Sequence, residues 1–158
     1  MPSISCREAA VALLGRRQYT RRELEVRLAR KGYEAEAVEG VLASLSERGW
    51  VDDAKAAASL VRSETGKGRG RGRIASALAA RGVPRGDAEE ALAGLDPAAE
   101  TARLREVLAK RARSLPAGLT PEARSKRLFD HLVRRGFAPG AVRAALREKG
   151  DLPDDAEP

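Results

Sequence analysis

The stretch Leu24–Gly32, LEVRLARKG, decides the fold because its pattern recurs twice further along the chain. The copies are Ile74–Gly82, IASALAARG, and Leu128–Gly136, LFDHLVRRG. Each begins with a large aliphatic residue, has Leu four positions later and ends with a basic residue followed by glycine. Residues four apart lie on one helix face, and glycine readily adopts the left-handed conformation beyond a helix end. Each copy therefore predicts an amphipathic helix that ends at its glycine.

The register continues for ten residues beyond each glycine. Three apolar columns recur there, occupied by Tyr33, Val38 and Leu42, by Val83, Ala88 and Leu92, and by Phe137, Val142 and Leu146. The three glycines lie 50 and 54 residues apart. A fixed period of this length is typical of a tandem array of one helical unit.

Each unit contains two further helical patterns, one on either side of the quoted stretch. The preceding helices are predicted from Ala10, Leu13 and Leu14, from Ala57, Leu60 and Val61, and from Leu104, Val107 and Leu108. The chain has no run of alternating β-branched or aromatic residues that would predict a strand. We therefore predict an all-α fold of three tandem three-helix repeats that form an elongated, curved array. The predicted bounds are 1–49, 50–96 and 97–150, followed by an acidic disordered tail at 151–158.

Local signals mark the beginnings of several helices. Thr20 and Glu23 form the pattern of a capping box, in which each side chain accepts a hydrogen bond from the other residue's backbone. Thr120 before Pro121 predicts a second helix start. Between the first two repeats, Asp52 or Asp53 is predicted to cap the next helix. Trp50 is predicted to pack beneath that turn as an anchor of the core.

Composition excludes several classes of function. The single cysteine, Cys6, allows no intrachain disulfide, and the single histidine, His131, excludes a metal site built from several histidines. No cluster of carboxylates or nucleophiles predicts catalysis, so we expect no enzyme activity, no cofactor and no metal. The apolar run Ala9–Leu14 is too short to cross a membrane or to act as a signal peptide, and we expect a cytoplasmic protein.

The net charge of +7 is distributed unevenly. Residues 97–150 carry thirteen basic and five acidic side chains, whereas residues 50–96 carry eight and seven. A basic body favours a polyanionic or acidic partner. Aromatic residues make up only 3% of the chain, which argues against a surface that stacks nucleic-acid bases.

The segment Lys67–Arg73, KGRGRGR, has a cation at every second position. Its candidate contact residues are Lys67, Arg69, Arg71 and Arg73. The intervening glycines are expected to keep the backbone mobile and to allow close approach to a phosphate or a carboxylate. The alternative is a solvated loop that joins two helices. A P-loop is excluded, because Gly follows Gly66-Lys67 where Ser or Thr is required.

Two other basic clusters are candidates for the same partner. One lies along the predicted second helix of the third repeat and contains Arg124, Lys126, Arg127, Arg134 and Arg135. The other lies in the first repeat and contains Arg16, Arg17, Arg21 and Arg22. The alternative for both clusters is an ordinary solvated helix face.

Several motifs in order resemble one known family. Tyr19–Gly32, YTRRELEVRLARKG, resembles the first-repeat motif of the RecX family of bacterial recombination regulators. Trp50–Asp53, WVDD, followed by Leu60–Ser63, LVRS, resembles the entry of that family's second repeat, and Leu132–Phe137, LVRRGF, resembles its third. The resemblance covers roughly residues 7–149.

This resemblance implies a non-enzymatic modulator, mainly an inhibitor, of the RecA recombinase, with a role in DNA repair and the SOS response. The expected partner is the RecA–DNA filament, in whose groove the protein would span neighbouring protomers and restrain ATP hydrolysis, strand exchange and coprotease activity. Single- or double-stranded DNA is a further expected partner. No membrane association is expected, and the free protein is expected to be a monomer.

The alternative function is direct binding of DNA or RNA, because trihelical units also occur as helix-turn-helix modules. The two functions predict different behaviour. A direct nucleic-acid binder holds nucleic acid by itself near physiological salt, whereas a filament regulator requires RecA.

Overall fold

The computed structural model describes residues 3–152, and within them the chain forms nine helices and no strand. The helices are α1 Cys6–Leu14, α2 Arg21–Arg30, α3 Ala35–Glu47, α4 Asp53–Gly66, α5 Arg71–Ala80, α6 Arg85–Ala93, α7 Pro97–Ser114, α8 Pro121–Arg134 and α9 Pro139–Lys149. The three stretches that predicted the fold form α2, α5 and α8. The predicted all-α class with three helices per repeat is confirmed.

The chain divides into two compact units. One contains the residues up to Val61 together with Ala77–Ala91, and the other contains Arg62–Ser76 together with the chain from Leu92 onward. The division falls inside α4, α5 and α6, so each helix of the second predicted repeat contributes residues to both units.

The core of the first unit lies among α1, α2 and α3. Leu24, Leu28 and Leu45 have no exposed surface, and Leu42 is 1% exposed. Each fully buried leucine side chain stabilises the fold by about 1.5–3 kcal/mol relative to an exposed one. The predicted apolar columns therefore mark the residues that hold these helices together.

The core of the second unit lies among α7, α8 and α9. Leu128, Leu132 and Leu146 have no exposed surface. Leu152 is 4% exposed and belongs to the same core, whereas the sequence predicted an acidic tail from residue 151 onward. Asp151 likewise belongs to the folded part, because its carboxylate accepts a hydrogen bond from Arg124. The rest of the predicted tail, residues 153–158, lies outside the described residues.

The predicted helix starts and ends are confirmed. The side chains of Thr20, Thr120 and Asp52 each accept a hydrogen bond from the backbone N–H three residues later. Thr20 and Glu23 form the complete capping box. The glycines that follow α2, α5 and α8 all have positive φ: 88° at Gly32, 67° at Gly82 and 94° at Gly136.

The prediction for Trp50 is wrong. Its side chain is 51% exposed, and Val51, at 6% exposure, enters the core in its place. The cause is the turn after α3, where Gly49 has a φ of 70° and the backbone N–H of Trp50 bonds to the carbonyl of Leu45. That turn directs the indole to solvent and the next side chain inward.

Candidate functional site

The segment KGRGRGR is docked against its own unit. α4 ends at Gly66 and α5 begins at Arg71, so that a short turn replaces the predicted loop. The backbone N–H of Gly70 donates to the carbonyl of Arg135 at 2.8 Å, and that of Gly72 donates to the carbonyl of Gly136 at 3.0 Å. The prediction of a mobile backbone is therefore wrong for this segment.

Its glycines serve a close approach between two parts of the backbone. A Cβ atom on Gly70 would lie 2.5 Å from the carbonyl carbon of Gly136. A Cβ atom on Gly136 would clash with the backbone nitrogen of Arg73. The close approach that the sequence suggested for a phosphate or a carboxylate is made here by the backbone after α8.

The four cations of this segment differ in their surroundings. Lys67 Nζ lies 2.8 Å from a carboxylate oxygen of Glu64, and Arg69 Nε lies 3.8 Å from the other oxygen. Arg71 donates to a main-chain carbonyl at 2.7 Å. Arg73 is exposed and forms no ion pair with any described residue. Arg73 is therefore the cation of this segment most available to a partner.

The cluster along α8 is partly neutralised. Arg124 Nε bonds to Asp151 at 2.8 Å, and Lys126 Nζ lies 3.9 Å from Asp130. The side chain of Arg135 donates a hydrogen bond to the main-chain carbonyl of Lys67, the first residue of the KGRGRGR segment. Two exposed cations of the cluster form no ion pair within residues 3–152, namely Arg127 and Arg134.

The cluster of the first repeat is more fully neutralised. Three ion pairs join Arg17 to Glu23 at 2.9 Å, Arg21 to Glu39 at 2.6 Å, and Arg22 to Glu25 at 2.8 Å. Arg16 is exposed and is the one member without an ion pair to a described residue. These contacts make the first cluster a weaker candidate than α8 for binding an anionic partner.

A polar junction that the sequence did not predict lies in the first unit. Arg81 donates two hydrogen bonds of 2.9 Å to the two carboxylate oxygens of Glu23, and Thr20 Oγ1 donates to the carbonyl of Arg81 at 2.6 Å. Burial by itself would raise the pKa of Glu23. The hydrogen bonds from Arg81, Arg17 and the Thr20 backbone outweigh that effect and lower the pKa to about 2. The ionised carboxylate therefore stabilises this junction.

The basic residue that recurs before each glycine is the sequence feature from which this junction could have been predicted. A basic residue in the last turn of a helix is favoured by the dipole of that helix, but Arg81 also contacts the start of α2. Arg135, at the same position of the third repeat, contacts the turn before α5. In both compact units, the end of one such helix thus meets the start of the equivalent helix of the preceding repeat.

Two chemical features do not occur in the described chain. Among residues 3–152, no three His, Cys, Asp or Glu side chains form a group that could hold a metal ion. None of the helices between Ser3 and Leu152 has the length and apolar character needed to cross a bilayer.

The sequence aligns with one family over most of its length. The family models described as the first, second and third three-helix domains of RecX match residues 6–45, 52–92 and 98–146, in that order. The chain belongs to the RecX family. The Regulatory protein RecX of Halorhodospira halophila is 41% identical over 144 residues, which cover 90% of this chain and 87% of that protein. The Regulatory protein RecX of Chromohalobacter salexigens is 40% identical over 141 residues, covering 89% of this chain and 90% of that protein.

Solved structures of RecX proteins have the same fold. The crystal structure of RecX from Lactobacillus salivarius matches with a TM-score of 0.79 at 19% identity, covering 90% of this chain and 93% of that one. A second crystal structure, of a regulatory protein RecX, matches with a TM-score of 0.82 at 22% identity, covering 90% of this chain and 71% of that one. The helical fold is therefore that of RecX proteins, as the resemblance predicted.

Proposed function

We propose that this protein regulates the RecA recombinase, mainly as an inhibitor, by binding in the groove of the RecA–DNA filament. Bound there, it restrains ATP hydrolysis, strand exchange and coprotease activity without chemistry of its own. The observation that carries this proposal is the ordered match to all three RecX domains, together with 41% identity to a regulatory protein RecX.

The physical basis is the match between a repeated ligand and a repeated partner. Successive repeats present related helices, and a filament presents the same subunit at a fixed interval. Several weak contacts made by one chain act together, because each raises the effective concentration for the next. Four exposed cations of the predicted clusters form no ion pair with a described residue and supply such contacts with acidic side chains or phosphates, namely Arg16, Arg73, Arg127 and Arg134.

The test is a titration of the full chain into RecA assembled on single-stranded DNA. We expect ATP hydrolysis and strand exchange to fall together and to saturate at a fixed ratio of protein to RecA. As a control for simple competition for the DNA, an unrelated single-strand-binding protein is titrated into the same RecA filaments. Unchanged ATP hydrolysis at saturating protein would reject the proposal.

A further inference from the structure

An open groove in the second unit concentrates positive charge. It encloses about 760 Å³ and is lined by α7, by the end of α4 with the turn that follows it, and by α8. Its basic residues are Lys67, Arg103, Lys110, Arg111, His131 and Arg135. Glu106 is the one carboxylate among the described residues that line it. The groove is therefore lined by five Lys or Arg side chains and one Glu.

The cations contributed by α7 share one helix face. Arg103, Lys110 and Arg111 stand at positions i, i+7 and i+8, which lie along one stripe of a helix. At 1.5 Å per residue, these three cations span about 12 Å along the helix axis. A stripe of this length suits an extended polyanion better than a single anionic group.

Two guanidinium nitrogens of the groove residues lack an acceptor. Arg103 Nη2 and Arg111 Nε are buried, and no described residue accepts a hydrogen bond from either. Arg103 is held in place because its Nε donates to the carbonyl of Arg69 at 2.8 Å. Buried charged donors without partners are costly, so both guanidinium groups keep hydrogen-bonding capacity that the described residues do not use.

The pKa of the histidine in the groove reflects the local electrostatic potential. Burial lowers the pKa of His131, and the neighbouring Arg111, Arg135 and Arg134 lower it further. The same positive field that disfavours protonation of this imidazole favours an anion nearby.

We propose that this groove binds the sugar–phosphate backbone of a single nucleic-acid strand, with Arg103, Lys110 and Arg111 contacting its phosphates. The apolar residues of the groove are small, such as Ala99, Ala102 and Val107, and they offer no anchor for a peptide. A duplex presents its phosphates on a convex surface, whereas a single strand enters a concave groove. The proposed contacts are made to phosphates, so binding is independent of base sequence.

The inference deepens the proposed function by adding a nucleic-acid contact, but its test contains no RecA. The full chain is titrated into a fluorescein-labelled dT20 oligonucleotide, and fluorescence anisotropy is measured between 50 and 300 mM salt. The groove variant is Lys110→Gln with Arg111→Gln. The matched control is Arg113→Gln with Lys149→Gln, which removes the same charge from exposed positions of α7 and α9 outside the groove.

At about 100 mM salt, we expect the groove variant to bind about tenfold more weakly than the parent, and the control to stay within about twofold. The slope of log K against log salt should become shallower by about 1.4 for the groove variant, because each single-strand phosphate contact contributes about 0.7. Circular dichroism checks that both variants keep the parent's helix content.

Four outcomes would overturn the inference. They are an absence of measurable binding by the parent chain, an equal loss in the two variants, a preference for the duplex form of the oligonucleotide, and displacement by polyglutamate as readily as by polyphosphate. Failure of the RecA titration with this binding intact would reject the regulatory function alone.

Discussion

At the scale of single residues, the repeated glycines have two roles: each follows the end of a helix with a positive φ, and two of them lie close against residues of the preceding repeat. The pattern of a basic residue followed by glycine reported a local helix end, and the positive φ angles confirm it. The pattern did not predict the contacts that these glycines make with the preceding repeat. Gly136 touches the backbone of Arg73, and a Cβ atom on Gly82 would lie 2.8 Å from the Cβ of Arg22. Periodicity along a chain describes one helix, whereas these contacts join residues about 60 positions apart.

This difference predicts unequal costs for the same substitution. Gly32→Ala should lower the free energy of unfolding by about 1 kcal/mol, because only the left-handed backbone is strained and no atom lies within 4 Å of the new Cβ. Gly136→Ala should cost about 1–3 kcal/mol more, because the new methyl group also meets backbone atoms that cannot move aside. Urea unfolding followed by circular dichroism measures both values. Equal costs would show that the contact at Gly136 relaxes freely.

Glu23 predicts an acid dependence of stability. Its pKa is about 2 in the folded protein, below the ordinary value of 4.5. As the pH falls through that interval, the unfolded chain takes up the proton first, so the stability contributed by the ionised carboxylate is lost. Glu23→Gln should therefore flatten the fall in unfolding free energy between about pH 4.5 and 2.

The control for this prediction is Glu25→Gln, which removes an exposed ion pair with Arg22 and should cost little. Chemical unfolding at a series of pH values compares the two variants with the parent. If Glu23→Gln retained the acid-side slope of the parent, the carboxylate would not be coupled to folding as described.

At the scale of secondary-structure elements, helix type and order followed from the sequence, but the surroundings of charged side chains did not. The spacing of Leu128 and Leu132 predicted the buried face of α8, because burial follows helical periodicity. Arg124 and Arg127 appeared equivalent in the sequence. In the structure, Arg124 bonds to Asp151, whereas Arg127 does not form an ion pair with any described residue. That distinction depends on which acid the fold brings near.

The exposed cations of α5 and α8 should contribute to filament binding. Replacing Arg73, Arg127 and Arg134 by Gln should weaken RecA inhibition about tenfold or more, because three charge-assisted contacts are removed. The half-inhibitory concentration in the ATP hydrolysis assay measures this. A charge-matched control replaces three exposed arginines outside the clusters, Arg30, Arg48 and Arg62, and should leave inhibition within about twofold of the parent. Equal losses would assign the effect to net charge.

α7 shows what the sequence could not reveal. Its cations Arg103, Lys110 and Arg111 were not among the candidates predicted from the sequence, since such spacing is common on solvated surface helices. Only the fold shows that the turn after α4 and the end of α8 line the same groove. The sequence shows which charged residues lie along one helix, but it does not show which other elements enclose that face of the helix.

At the scale of the whole molecule, the sequence predicted the all-α class and the family, because the repeat supplied the same information three times. The sequence predicted the burial of individual side chains less well. The turn after α3 directs Trp50 outward and Val51 inward, and Leu152 belongs to the core among α7, α8 and α9. A one-residue change in where a turn begins exchanges the buried and exposed side chains.

The outward position of Trp50 has a practical consequence for experiments. It is the single tryptophan of the chain, and about half of its surface faces water. The tryptophan fluorescence of the protein therefore arises from one known location, between α3 and α4. The chain carries an intrinsic optical probe at that location, whose spectrum moves to shorter wavelength when a bound molecule shields the indole from water.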